Sequence, residues 1–145
     1  MSHNVKITNV KVSNLSFVEA AVNELNEELG LNWVCEYDSE IRGWAGNTTK
    51  VKLAIKTQDR YDIGFMDNHD GTYTPIYEDM YSSPVKADYE SKTIEGIKDR
   101  EGRGIGKLLQ RINIITAEYE AAQNGYSTQR EYDKETGIMN LLVMN

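Results

Sequence analysis

Between Asn32 and Tyr77 a succession of short strand patterns runs with connections too short to hold a crossover helix. Parallel neighbours need a crossover of about a dozen residues or more, so these strands have to pair antiparallel. The clearest is Lys50–Lys56, where Val51, Leu53 and Ile55 are set to face one way and Lys50, Lys52, Ala54 and Lys56 the other. That alternation marks a half-buried antiparallel strand. Asn32–Tyr37 is aromatic-rich and extended, and Ile41–Asn47 reads as a strand end running into a turn at Gly43 and Gly46. Tyr61–Met66 and Thr72–Tyr77 flank Asn68-His69-Asp70-Gly71, a hairpin signal. Pro75 has no N–H for a ladder, which predicts an edge position for the second of these strands.

Two helical periods interrupt the strands. Phe17, Val18, Ala21, Val22, Leu25 and Leu29 recur at helical spacing over Ser16–Leu29. Ser16 and Glu19 match a capping box at its start, and Gly30 is placed to end it in a left-handed conformation. The second period covers Ile105–Asn124 through Leu108, Leu109, Ile112, Ile115, Tyr119 and Ala122, with Gly125 as the stop. Val5–Val12 forms a first strand, and Tyr126–Tyr132 with Ile138–Met144 a closing hairpin. The expected fold is α+β: a mainly antiparallel sheet with two helices packed on one face and a long excursion, residues 79–104, before the second helix.

A chain of 145 residues fits a single domain, residues 1–145. Its 23 acidic and 16 basic residues give a net charge of −7, which argues against a general nucleic-acid or anionic-membrane binder. A lone cysteine, Cys35, allows no internal disulfide and suits a reducing compartment. No apolar run approaches the ~20 residues of a membrane span. Met1-Ser2-His3-Asn4 opens without the hydrophobic stretch of a signal peptide, so a cytoplasmic location is expected.

Several strings carry a family resemblance. They are Met1-Ser2-His3, Ile41-Arg42-Gly43-Trp44, Tyr61-Asp62-Ile63-Gly64-Phe65, Gln110-Arg111 and the hairpin from Gly125-Tyr126 to Val143. Together they resemble the chloroplast reading-frame 35 family, a domain of unknown function also carried by cyanobacteria and phages. The most specific piece is Tyr61–Phe65. Departures are Ile112-Asn113-Ile114 where the family has aromatic residues, a Met144-Asn145 ending, and a longer stretch at Val85–Gly104. They suggest a divergent, phage-type member, whose setting would be the cytoplasm of a host.

Catalytic signatures are absent from the sequence. The two histidines, His3 and His69, lie near the terminus and in a turn, and no HExxH, CxxC or GxSxG string occurs. Cys35 sits in an apolar strand, where a cysteine is ordinarily buried and inert. No metal or cofactor is expected, and an enzyme would have to build its site from scattered carboxylates.

The most distinctive local chemistry is Lys98–Lys107, where Gly102, Gly104 and Gly106 alternate into the second helix. Flexible backbone before a helix start can turn amide donors toward an anion, assisted by the helix dipole. From Lys98 to Arg111 five basic and two acidic residues make the segment +3. It is not a Walker A loop, because Glu101 and Leu108 stand where Gly and Ser or Thr are required. Arg100, Gly102, Arg103, Gly104, Gly106 and Lys107 are therefore ligand candidates, joined by Arg42 and Arg111 as a phosphate-gripping pair. His3, Asp62 and Gln110 are candidate supports. The competing reading is an internal ion pair between Arg42 or Arg111 and Asp62.

The resulting expectation is a non-catalytic, homo-oligomeric protein that binds or sequesters a phosphate-containing small molecule such as a nucleotide signal. The alternative is a protein–protein adaptor or inhibitor that grips a host protein through the 79–104 excursion, with Tyr81, Pro84 and Tyr89 as contacts.

Overall fold

The computed structural model describes residues 3–6, 11–42, 46–57, 62–79, 106–133, 135 and 138–144. Its elements in chain order are β1 (His3–Lys6), α1 (Leu15–Leu29), β2 (Val34–Arg42), β3 (Thr48–Lys56), β4 (Ile63–Asp67), β5 (Tyr73–Asp79), α2 (Gly106–Gln123), β6 (Ser127–Tyr132) and β7 (Met139–Met144). The first five strands form one antiparallel sheet in the order β1-β5-β4-β3-β2, and β6 pairs with β7 in a separate two-stranded sheet. This is the expected α+β arrangement. The excursion beyond Asp79, with Tyr81, Pro84 and Tyr89, lies outside the described residues.

Helix α1 starts one residue earlier than the capping box implied. Asn14 is the cap, its Oδ1 accepting from the Ser16 N–H at 2.9 Å and from the Ser16 hydroxyl at 2.7 Å. Glu19 is drawn elsewhere: its carboxylate accepts the Tyr37 hydroxyl at 2.7 Å. The other end follows the sequence, with Gly30 left-handed at φ 67° and its N–H donating to the Asn26 carbonyl. The Asn26 side chain then fixes the exit, donating to the Trp33 carbonyl at 2.8 Å and accepting from its N–H at 3.0 Å.

The apolar stripe of α1 (Leu15, Val18, Val22, Leu25) packs on the sheet face formed by Leu53, Ile55, Ile63 and Phe65. Leu108 and Ile112 of α2 enter the same cluster, so both helices cover one face. Each of these fully buried side chains is worth about 1.5–3 kcal/mol of transfer free energy, which makes this layer the main source of stability.

Two strand details depart from the sequence pattern. Val51 does not share a face with Leu53 and Ile55; it packs with Ile41, Ala54 and Ile76 on the opposite side. The switch falls opposite Asp38, whose φ of 49° lies between the Tyr37↔Leu53 and Ser39↔Val51 pairs and turns the strand locally. Gly64 makes room for the switch, because a Cβ there would lie 2.7 Å from Val51 Cγ1. The second departure is β5, an interior strand despite Pro75. Among the described residues β5 pairs with β1 from His3↔Asp79 to Lys6↔Ile76 and with Val12 through Tyr73, and no described residue pairs with Pro75 on that side.

Candidate functional site

Asp62 and Arg42 meet where β2 ends and β4 begins. The Asp62 carboxylate is fully buried and accepts from the Arg42 backbone N–H and Nε, both at 2.9 Å, and from Arg42 Nη2 at 2.7 Å. It also accepts from the Thr57 N–H at 3.1 Å, and Lys56 Nζ stands 3.7 Å away. Arg42 Nη2 further donates to the Thr57 carbonyl, and the Lys56 ammonium to the Glu40 carbonyl. A buried charge is tolerable only with this density of donors. The arrangement staples three strand ends together, so the ion-pair alternative holds for Arg42.

Arg111 belongs to a different network. Glu24 and Glu28 lie one turn apart on α1, and Arg111 of α2 reaches both, at 3.0 and 2.8 Å. Arg130 of β6 completes the junction. It donates twice to Glu24 (2.6 and 3.1 Å) and twice to Glu118 of α2 (2.8 and 2.7 Å). The Glu24 carboxyl is held below the usual glutamate range, chiefly by the hydrogen bond from Arg130. Nearby, burial pulls the Lys107 ammonium below its ordinary pKa, and Nζ sits 5.1 Å from the centre of the Tyr132 ring. No carboxylate among the described residues stands within ion-pair distance of Lys107. Arg111 and Arg130 thus face carboxylates Glu24, Glu28 and Glu118, while Lys107 packs on Tyr132.

The clamp turns one face of the β6–β7 hairpin toward α2 and the other outward. Thr128, Arg130 and Tyr132 pair with Val143, Leu141 and Met139 on the side of α2, where Tyr132 and Val143 are themselves exposed. Outward stand Leu142, Met144 and, beside the turn, Ile138, all exposed. Tyr126 is exposed at the entry to β6. Part-buried ion pairs thus hold this exposed apolar surface in place.

A second feature is an open recess of about 410 Å³ lined by Asp38, Lys50, Val51, Lys52, Met66, Asp67 and His69. Asp38 and His69, two non-glycine residues with left-handed backbone, border it. Lys52 is bound to Asp38 at 3.0 Å, and the His69 ring lies 3.9 Å from Asp67. Among the described residues no group of three His, Cys, Asp or Glu side chains could hold a metal ion. Cys35 is half-buried and its thiol is pushed up to about 11, mainly by burial, which suits an unreactive side chain. No described helix is long and apolar enough to cross a membrane.

The candidates named from sequence therefore disperse. Arg100, Gly102, Arg103 and Gly104 lie outside the described residues. Gly106 opens α2, Lys107 and Gln110 follow on it, and His3 opens β1. Arg42 is ion-paired with Asp62, and Arg111 with Glu24 and Glu28. Sequence reasoning missed the roles of Glu24, Glu118 and Arg130. Their only local signal is the Glu24/Glu28 spacing on one helix face, and Arg130 is 106 residues from Glu24.

The model of a family described as a protein of unknown function (DUF1257) matches residues 25–142, and the chain belongs to this family. No curated protein and no solved structure matches it.

Proposed function

We propose that this family member is a non-catalytic binding module that docks another protein on the outer face of the β6–β7 hairpin. One observation carries the reading. The exposed apolar side chains Ile138, Leu142 and Met144 lie on a hairpin fixed to both helices through Arg130, so they are presented rather than loose. A phage-type kinship would make that partner a host protein. The adaptor reading from sequence placed the contact at residues 79–104; the described structure supports a contact on the hairpin. The test is affinity capture from the cells that make the protein, using the full chain and its Leu142→Glu variant. A partner enriched by the native chain is expected to fall at least tenfold with the variant while the melting temperature holds. Equal enrichment by both chains would contradict the reading.

A second reading keeps the phosphate-containing small molecule, bound where the chain enters α2. Lys107 favours it: a buried ammonium against an aromatic ring, with no carboxylate in ion-pair distance among the described residues. Calorimetry with a panel of nucleotides and inorganic phosphate, on the native chain and Lys107→Met, tests it. Binding lost in the variant supports this site. Absence of heat with every phosphate compound removes it.

A further inference from the structure

Among the described residues, three of the four edge strands carry charge on the strand itself. The sequence of β1 ends on Lys6; β2 bears Glu36, Asp38, Glu40 and Arg42; β6 bears Arg130 and Glu131. Charges on an edge are a common defence against pairing with another chain. Strand β7, Met139–Met144, has none, and neither proline nor glycine interrupts it. Ile138 extends the uncharged run by one residue.

The backbone direction of that edge follows from one bond. The Asp133 N–H donates to the Ile138 carbonyl at 3.0 Å, in the same register that pairs Ser127 with Met144. In an antiparallel ladder, hydrogen-bonded and non-hydrogen-bonded pairs alternate. Residues 138, 140, 142 and 144 therefore direct their backbone groups to β6. Met139, Leu141 and Val143 direct theirs outward, to an edge that no strand among the described residues covers.

We propose that this edge pairs antiparallel with β7 of a second copy of the chain, across a two-fold axis at Leu141. The register is self-consistent, because Leu141 faces Leu141 and Met139 faces Val143 of the second copy. All the outward donors and acceptors are then used in about six backbone hydrogen bonds. On the outer face the same register sets Ile138 beside Met144 and Asn140 beside Leu142. The result is a four-stranded β6-β7-β7-β6 sheet whose outer face groups Ile138, Leu142 and Met144 of both copies around the seam. Each copy carries −7, a mutual repulsion, and among the described residues β7 is the edge strand where two identical chains meet without adding opposed like charges at the seam. The inference goes beyond the docking proposal, since it concerns the strand's edge and not its outer face, and either can fail alone.

Sedimentation equilibrium of the full chain at micromolar concentration tests it. The native chain is expected at twice its 16.5 kDa mass. Val143→Pro is expected at the single-chain mass, because the substituted N–H faces outward and leaves the β6 ladder intact. Circular dichroism confirms its fold. A second readout covers the case in which that variant unfolds: under mild oxidation Leu141→Cys forms a covalent dimer, while Leu142→Cys does not. A monomeric native chain overturns the proposal. So does a native dimer in which Leu141→Cys fails to crosslink, as would happen if the copies met elsewhere.

Discussion

Arg130 on β6 and Glu24 on α1, 106 residues apart in the chain, meet through two hydrogen bonds of 2.6 and 3.1 Å. The same guanidinium grips Glu118 of α2, so one side chain ties the hairpin to both helices. Arginine suits this task, because its planar fork can serve two carboxylates at once.

Replacing Arg130 by Met should loosen the hairpin while leaving the five-stranded sheet intact. The groups keep partial contact with water, so the loss should be about 1–2 kcal/mol, below that of a fully buried pair. Hydrogen exchange should quicken at β6 and β7 and stay unchanged at β3 and β4. Uniform quickening across the chain would mean that the hairpin is not a separately clamped unit.

Acid should act at the same place. The folded-state pKa of Glu24 is depressed, so its contribution to stability is fully present above the usual glutamate range. That contribution is lost as the pH falls through this range toward the lowered folded value. Hairpin amide protection, followed from pH 6 to pH 3, should drop first in the native chain. In Glu24→Gln it should already be low and nearly independent of pH.

Asp62→Ala should be among the most damaging single changes at the sheet. It strips a fully buried acceptor from the backbone N–H groups of Arg42 and Thr57 and leaves the Arg42 guanidinium without its carboxylate. A loss of about 3–5 kcal/mol is expected from breaking such a pair, with Asp62→Asn recovering part of it. Urea unfolding of the three chains gives the comparison. Equal midpoints would show that the Asp62 corner contributes nothing to the fold.

Gly64→Ala should cost about 1–3 kcal/mol by overpacking, since the new methyl group would meet Val51 Cγ1 at 2.7 Å. Val51→Ala in the same chain should recover most of that loss. An additive double variant would mean that Val51 is not the obstacle.

The helices and the antiparallel sheet were legible because each rests on local periodicity and on stops such as Gly30 and Gly125, both left-handed in the structure. What local pattern hid was set by distant partners. Val51 continues the sequence alternation of its strand yet packs on the face opposite Leu53 and Ile55, and Pro75 stands in an interior strand. The basic residues were harder still. Arg42 and Arg111 look available in sequence, yet each meets carboxylates from remote segments, Asp62 in one case and Glu24 with Glu28 in the other. A run of uncharged residues at Ile138–Met144 reads as an ordinary strand until the fold shows that its outer face is left uncovered by the described residues.

The claim that the hairpin's outer face is the working surface is tested most directly by photocrosslinking in living cells. A photoreactive residue at position 142 is compared with one at Glu27, exposed on α1. The account predicts an adduct with one discrete partner protein at position 142 and none at position 27. Adducts of equal yield at both positions, or none at 142, would contradict it.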